Sequence, residues 1–192
     1  MAGCKILGID PGSRHTGYAV LFEDGRKFKV LECDVIKTTH LKGQSERLRY
    51  IYCEIEAVVK RHQPDFCAIE TPVYGVDPLA MLKLGRAQAA ALLAISNQEI
   101  EATEYYPKAI KKAVTGNGNA SKKQVAYMLE KLISIPDQIL SSDASDALAV
   151  AWCHFSYIGQ PGGARTTKKY HQNNRKSSWK AFVDDNPDRI KG

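Results

Sequence analysis

Ile6-Leu-Gly-Ile-Asp-Pro-Gly12 has the pattern of a buried strand that ends at a carboxylate. An almost continuous apolar run of this kind is typical of a strand covered on both faces, in the middle of a sheet. Pro11 and Gly12 come directly after Asp10 and turn the backbone sharply. The segment therefore predicts a charged side chain at the end of a central strand, where a charge needs a partner or a function.

Strand and helix patterns alternate along the rest of the chain. Asp24-Gly25 predicts a hairpin turn between the second and third strands, so the sheet begins antiparallel. Pro107 opens one helix, and Ser121-Lys-Lys-Gln124 has the capping-box form that opens another. The sequence predicts strands at 5–10, 16–22, 28–36, 66–70 and 99–104, and helices at 45–61, 78–97, from residue 107, after residue 121 and at 143–154. This order predicts an α/β fold with a mixed sheet.

Three further acidic residues are placed where they can meet Asp10. Glu70 closes the second buried strand, Phe66-Cys-Ala-Ile-Glu70, as Asp10 closes the first. Asp143 and Asp146 are three residues apart, which puts both on one face of the last predicted helix. We expect the four acids to converge without basic neighbours.

Converging carboxylates predict a metal site. Like charges a few ångströms apart repel strongly in a partly dry site, so such a cluster is held by protonation or by divalent cations. Oxygen ligands suit Mg²⁺, for which Mn²⁺ can substitute, and two such ions roughly 4 Å apart can activate a water and stabilise the departing oxygen of a phosphodiester. Singly, Asp10 fits a turn, Asp143 an N-cap and Asp146 a first helical turn. Glu70 has no such structural explanation.

The net charge of +6 is concentrated near the C-terminus. Residues 159–192 contain eight Lys and Arg against three Asp and Glu, whereas residues 1–158 are nearly balanced. With 44% apolar and 25% charged residues, the composition predicts one globular domain over 1–158, followed by a basic, flexible tail over 159–192. The tail either binds phosphate non-specifically or only adds soluble charge.

Nothing in the apolar pattern predicts a membrane protein. The longest uninterrupted apolar run, Ala89 to Ile95, is far shorter than the roughly 18 residues of a membrane span. The first residues also lack the apolar core of a signal peptide, so we expect a cytoplasmic protein.

Basic residues cluster between two predicted helices and predict a phosphate-binding surface. Lysines lie on the helix that starts at Pro107 and at the beginning of the next one, with the loop 116–119 between them. A merely solvated face is the alternative. The candidate phosphate contacts are Lys108, Lys111, Lys112, Lys122 and Lys123, together with Arg14 in the turn after Asp10.

Five segments resemble, in the same order, the successive motifs of RuvC-type Holliday junction resolvases, which are crossover junction endodeoxyribonucleases. The segments are Ile6-Leu-Gly-Ile-Asp-Pro-Gly-Ser-Arg-His-Thr-Gly-Tyr18, Ala68-Ile-Glu70, Leu82-Lys-Leu-Gly-Arg-Ala-Gln88, Gly116-Asn-Gly-Asn-Ala-Ser-Lys122 and Asp143-Ala-Ser-Asp-Ala-Leu-Ala149. The resemblance covers about residues 4–156. It implies a ribonuclease-H-like fold, with a mixed five-stranded sheet flanked by helices.

The resemblance also implies an activity and its partners. A member of this family is a homodimer that makes paired, metal-dependent incisions in a four-way DNA junction, in recombination and repair, and works with a branch-migration motor complex. The positions Asp10, Glu70, Asp143 and Asp146 match the family's acidic catalytic residues, and Lys111 and Lys122 match basic positions that support DNA binding and cleavage. We expect the apolar helix at 78–97 to form the dimer interface, because an isologous dimer places two sites for paired nicks.

One position departs from the family pattern. Where the family often has an aromatic residue that contacts bases near the junction, this sequence has Val73 followed by Tyr74. Either Tyr74 makes that contact from the neighbouring position or it is a half-buried loop tyrosine.

Two other functional classes compete with a junction endonuclease. An actin-like ATPase also has a first strand that ends in an Asp-x-Gly turn, but such proteins use two domains of this kind around a nucleotide. A non-catalytic DNA-junction scaffold would have no need for four converging acids.

Overall fold

The structure is a computed structural model, and it describes residues 3–25, 27–73, 77–133 and 141–158. The strands are β1 (Cys4–Asp10), β2 (His15–Asp24), β3 (Lys27–Lys37), β4 (Phe66–Glu70) and β5 (Ala102–Tyr105). The helices are α1 (Gln44–His62), α2 (Pro78–Ser96), α3 (Pro107–Thr115), α4 (Lys122–Leu132) and α5 (Ser142–Ile158). Each predicted element is present. The last strand starts three residues later than predicted, since Glu99 has a left-handed φ of 58° that an extended strand does not allow.

The five strands form one mixed sheet in the order β3-β2-β1-β4-β5. The β1–β2 and β2–β3 pairs are antiparallel, as the Asp24-Gly25 turn predicts, whereas β1–β4 and β4–β5 are parallel. The prediction of a mixed five-stranded sheet flanked by helices is therefore confirmed. Because β1, β4 and β5 run in the same direction, their carboxyl ends meet at one edge of the sheet. We call this the active-site edge; it comprises Asp10, Glu70 and Tyr105 at the three strand ends.

Helices cover both faces of the sheet and make two core clusters. Helices α1 and α2 pack on one face, where Leu7 and Ile9 of β1 are fully buried. Helices α3, α4 and α5 pack on the other face, against Ile6. Because side chains alternate along a strand, Asp10 follows Ile9 onto the face covered by α5. The same alternation carries Glu70 to that face, since Ile69 belongs to the opposite cluster.

Two glycines allow α5 to approach the sheet closely. A Cβ atom on Gly8 of β1 would overlap the carbonyl oxygen of Ala147 and lie 2.5 Å from the backbone nitrogen of Ala151. A Cβ atom on Gly17 of β2 would overlap the carbonyl oxygen of Asp143. Only the absence of a side chain permits this contact. The glycines thus bring the first turn of α5 directly over the ends of β1 and β2.

His154 lies inside the hydrophobic core, away from the ends of β1 and β4 where Asp10 and Glu70 lie. It is 4% exposed, and its Nδ1 atom is 3.0 Å from the Tyr105 hydroxyl. Burial lowers the pKa of His154 to about 4, so the imidazole is neutral at pH 7. Its role is to pack α5 on β4 and β5, where its ring also contacts Phe66.

Helix α2 has an unusually exposed apolar surface. By length and composition alone it could cross a membrane, and 28% of its most apolar 18-residue stretch is buried in the protein. Its buried side is made of small residues such as Ala87 and Ala91, whereas Leu79, Leu82 and Leu93 are 66%, 50% and 59% exposed. The predicted tail, residues 159–192, lies outside the described residues.

Candidate active site

Three of the four predicted acids meet at the active-site edge. One carboxylate oxygen from each of Asp10, Asp143 and Asp146 lies within 4.8 Å of the others. Glu70 is not part of this trio, but it lines the same open cavity of about 240 Å³, together with Asp10 and Asp146. Asp143 does not line this cavity, but Asp10 and Asp146 belong both to the trio and to the cavity wall, so the structure brings all four acids to the same end of the sheet.

The start of α5 sets the positions of Asp143 and Asp146. The Ser141 hydroxyl accepts a hydrogen bond of 3.4 Å from the Ala144 N–H, so it caps the first turn. Asp143 lies in that turn and Asp146 three residues later, so both face the strand ends. The partial positive charge of the helix N-terminus also favours carboxylates there.

Burial and mutual repulsion perturb the acids at the strand ends. Desolvation, followed by the charge of Asp146, raises the pKa of Asp10 to about 6. Desolvation, followed by the charges of Asp10 and Asp146, raises the pKa of Glu70 to about 7. Each group therefore keeps its proton to a higher pH than an exposed carboxyl group does, and a further cation at the site would favour loss of that proton. This is the electrostatic condition of a cation-binding site.

The prediction that the acids lack basic neighbours is wrong. The Lys122 Nζ atom donates a hydrogen bond of 2.5 Å to the Asp146 Oδ2 atom, and this ion pair raises the pKa of Lys122. Lys111 lines the same cavity. Lys122 reaches the site because it is the first residue of α4, which packs on α5 through Val125 and Leu129. This contact joins residues 24 positions apart on two separate helices, and helical spacing alone could not reveal it.

Of the other predicted contacts, those that the structure describes do not line the cavity. Lys108, Lys112 and Lys123 are exposed on α3 and α4 and do not line it. Arg14 is exposed in the turn after Asp10, where its carbonyl oxygen accepts a hydrogen bond from the Thr38 N–H. Tyr74 lies outside the described residues, and the preceding Val73 is 51% exposed.

A hydrogen-bond network that the sequence analysis did not identify supports the end of β4. The Thr71 N–H donates to the carbonyl oxygen of Tyr105 at 2.8 Å, and the Thr71 hydroxyl donates to Glu104 Oε2 at 3.2 Å. The Gln88 amide of α2 donates to the same oxygen at 2.7 Å. The network ties α2 and β5 to the residue that follows Glu70. No local pattern predicts it, because its three side chains come from separate elements.

A family model described as crossover junction endodeoxyribonuclease RuvC matches residues 6–154, which include all four acids. This chain belongs to the RuvC family. Two proteins named crossover junction endodeoxyribonuclease RuvC are similar to nearly the whole chain. The one from Salinibacter ruber is 44% identical over 185 residues, covering 96% of this chain and 98% of that protein. The one from Bacteroides fragilis is 40% identical over 188 residues, covering 97% and 95%.

A solved RuvC structure has the same fold. T. thermophilus RuvC in complex with Holliday junction substrate matches with a TM-score of 0.75 at 29% identity, covering 81% of this chain and 94% of that one. The ribonuclease-H-like fold predicted from the resemblance is thereby confirmed, as is the RuvC family itself.

Proposed function

We propose that this chain is a structure-selective endonuclease that resolves four-way DNA junctions by paired phosphodiester hydrolysis, in DNA recombination and repair. The observation that carries the proposal is the acidic trio of Asp10, Asp143 and Asp146, whose carboxylate oxygens lie within 4.8 Å of one another, beside a cavity that Asp10, Asp146 and two lysines line. Membership of the RuvC family gives this arrangement its substrate class. The same membership argues against an actin-like ATPase.

The acids fit divalent metal ions by their chemistry. The donor set consists of carboxylate oxygens, which Mg²⁺ and Mn²⁺ prefer. Burial first, and then the charges of the neighbouring acids, raise the pKa values of Asp10 and Glu70, and a bound cation would offset both effects. We assign Asp10, Glu70, Asp143 and Asp146 as ligands for two ions per site. When bound, these ions would activate a water molecule and stabilise the leaving oxygen of the phosphodiester.

The lysines of the cavity neutralise the substrate's phosphate. Lys111 lies in the wall of the cavity, and Lys122 stands at its mouth with 68% of its side chain exposed. Because the Lys122 ammonium already pairs with Asp146, a cation that binds Asp146 would release it toward phosphate oxygens. This exchange would keep the charge of the site balanced while DNA enters.

DNA flanking the cleaved bond would run over the basic surface around the cavity. Lys108, Lys112 and Lys123 project from exposed positions on α3 and α4, and Arg14 is exposed in the turn after β1. Such contacts position the backbone without reading its sequence. We also assign Tyr74 a base contact near the junction, from the position beside Val73.

Paired incisions need two sites related by two-fold symmetry, so we propose a homodimer that acts in the cytoplasm with a branch-migration motor complex. Leu79, Leu82 and Leu93 lie on one side of α2 and leave a large apolar surface that a second copy would cover. Leu82→Glu should give a monomer in sedimentation that nicks junctions without pairing its cuts. The matched variant Leu31→Glu, on a lone exposed leucine of β3, should stay dimeric.

The function is tested with four-way, three-way and linear DNA of matched sequence, each with and without Mg²⁺. We expect paired, symmetric cuts in the four-way junction only, and only with metal. Equal cutting of all three substrates would leave a nuclease but remove junction selectivity. Tight junction binding without any cutting in Mg²⁺ or Mn²⁺ would instead identify a non-catalytic scaffold.

A further inference from the structure

Tyr106 differs from the other tyrosines in the described part of the chain because its side chain has no partner there. The partnered tyrosines contact a carboxylate, a histidine, a lysine or another ring: Tyr18, Tyr50, Tyr52, Tyr105, Tyr127 and Tyr157. Tyr106 is 64% exposed. A single exposed aromatic residue is ordinary, so its position decides what it can do.

Tyr106 lies at the active-site edge, between two residues that already belong to it. The preceding Tyr105 pairs with Glu70 in the sheet, and the following Pro107 lines the cavity of the acids. The backbone of Tyr106 is extended, with φ −76° and ψ 148°, so its side chain alternates with that of Tyr105. Tyr105 packs toward α5 through His154. Tyr106 therefore faces away from α5 and from the acids, so its ring lies at the rim of the active-site edge and outside the lining of the cavity.

A tyrosine at position 106 is unfavourable for the start of helix α3. Tyr106 is the N-cap of α3, and its side chain makes no capping hydrogen bond. At the same position of α2 and α4 the chain uses Asp77 and Ser121, whose oxygens each accept a hydrogen bond from a backbone N–H. Ser, Thr, Asp and Asn stabilise a helix start and tyrosine does not. A residue that breaks a local rule at the edge of a site is a candidate for function.

The charges around Tyr106 suit a nucleic acid strand. The first turn of α3 contains Lys108 and no acidic residue, and Lys111 follows in the cavity wall. The nearest acid in the sequence, Glu104, is already bound by Thr71 and Gln88. An exposed ring bordered by lysines is the arrangement with which proteins bind unpaired bases and their phosphates.

We propose that Tyr106 stacks on a base beside the scissile phosphate, and so positions that phosphate over the carboxylates. This inference rests on the proposed junction endonuclease function. In an open four-way junction, the last base pair of each arm has no stacked neighbour at the exchange point, so one face of its bases is open to an aromatic ring. Every base has such a face, so the contact works at any sequence. Tyr106 is a positioning residue here, because it does not touch the reacting atoms.

The test uses a four-way junction with 2-aminopurine placed on either side of the cleaved bond. The full chain binds it in EDTA, so that no cutting occurs, and stacking is measured as fluorescence quenching. The variants are Tyr106→Leu, which removes the ring, and Tyr106→Phe and Tyr106→Trp, which keep one. Tyr127→Leu is the matched control, since Tyr127 is 59% exposed on α4 and lies outside the cavity lining.

We expect wild type, Tyr106→Phe, Tyr106→Trp and Tyr127→Leu to quench the probe, and Tyr106→Leu to lose the quenching. The single-turnover cleavage rate of Tyr106→Leu should fall roughly five- to a hundred-fold, the size of the loss of one base–aromatic stack. The two ring-keeping variants should retain it. Because they test the ring directly, they remain informative if the leucine variant folds poorly.

Three results would overturn the inference. One is equal quenching and equal rates for wild type and Tyr106→Leu. Another is a loss of activity in Tyr106→Phe as large as in Tyr106→Leu, which would assign the role to the hydroxyl. The third is a monomeric Tyr106→Leu in sedimentation, which would make Tyr106 a contact between copies. Failure of the wild-type protein to bind or cut the junction would instead overturn the proposed function.

Discussion

Asp146 is the acid with the most interactions in the site. Its carboxylate accepts the hydrogen bond from Lys122, belongs to the acidic trio, and contributes to the raised pKa values of Asp10 and Glu70. Its side chain is 20% exposed and makes no other ion pair with the described residues. Its charge is therefore placed to bind cations rather than to hold the fold together.

Asp146→Asn should abolish cleavage while the protein stays folded and binds the junction. The amide keeps the shape of the side chain but loses the charge, and junction affinity should be unchanged or higher because one repulsion toward phosphate is gone. We expect a loss of about 4 kcal/mol or more of transition-state stabilisation, about a thousand-fold in rate. Asp34→Asn, an exposed acid on β3, is the control. Cleavage, junction binding and thermal melting are measured together; a folded variant that cuts at the normal rate in Mg²⁺ would refute the mechanism.

Metal binding should release protons from Asp10 and Glu70. Their pKa values lie at about 6 and about 7, so each is protonated as the pH falls below these values and must lose its proton before it can bind a cation. The affinity of the DNA-free protein for Mn²⁺ should thus rise between about pH 5.5 and about pH 8 and level off above that. Calorimetry in two buffers of different ionisation enthalpy counts the released protons. Glu70→Gln should remove the part of the increase in Mn²⁺ affinity that occurs around pH 7. An affinity that does not change with pH would contradict the assignment of Asp10 and Glu70 as metal ligands.

Among the elements, α5 depends most on an exact fit to the sheet. Gly17→Ala would place a Cβ atom against the Asp143 carbonyl, so the first turn of α5 would have to move. We expect a destabilisation of about 1–3 kcal/mol from this overpacking, and a loss of cleavage larger than the unfolded fraction explains. Gly85→Ala in α2, where a Cβ meets nothing within 4 Å, should be neutral or stabilising. Denaturant unfolding measures the loss of stability, and single-turnover rates measure the loss of cleavage. A fully active Gly17→Ala protein would show that cleavage does not need the close fit of α5 to the sheet.

The packing of α5 on β4 and β5 should also make stability depend on pH through His154. Its pKa is about 4 in the folded protein, against about 6.5 in an unfolded chain, because burial disfavours the charged form. Below pH 6.5 the unfolded state binds the proton more readily, so this contribution to stability is lost as the pH falls from 6.5 toward 4. At pH 5 the loss should be about 2 kcal/mol.

Comparison with His154→Phe isolates this effect, because the acids titrate in both proteins. When the pH falls from 7.5 to 5, the variant should lose less of its unfolding free energy than the wild-type protein does. Identical pH profiles for the two proteins would mean that His154 titrates normally in the folded state.

The excess positive charge of the whole molecule lies mostly in residues 159–192. Deleting them should weaken junction binding and reduce its dependence on salt concentration, since fewer counterions are released. The core should stay folded and junction selectivity should survive. A full-length variant with Lys168, Lys169, Arg175, Lys176 and Lys180 all changed to Gln is the matched control and should give a similar salt slope. Aggregation of the truncated protein would show instead that this segment packs on the core, for instance through Trp179 and Phe182.

Local pattern was sufficient for the elements and for the four acids. Strand β1 was predicted from a continuous apolar run, and the start of α4 from the Ser121–Gln124 capping box, because such signals need only neighbouring residues. Asp10 and Glu70 could be singled out in the same way, as charges that end buried strands. Strand β5 was predicted less accurately, since the left-handed Glu99 delays its start.

Only the packed molecule decided how the charges of the site are balanced. The Lys122–Asp146 ion pair and the bonds of Glu104 to Thr71 and Gln88 join residues 16 to 33 positions apart, on separate elements. The raised pKa values of Asp10 and Glu70 depend on burial and on distances between carboxylates, which exist only once α5 lies on Gly8 and Gly17. The spacing of apolar residues in the sequence predicts which face of its own helix or strand a side chain occupies. This spacing does not predict which side chains of other elements lie next to that face, because the distances between side chains of different elements depend on how the elements pack.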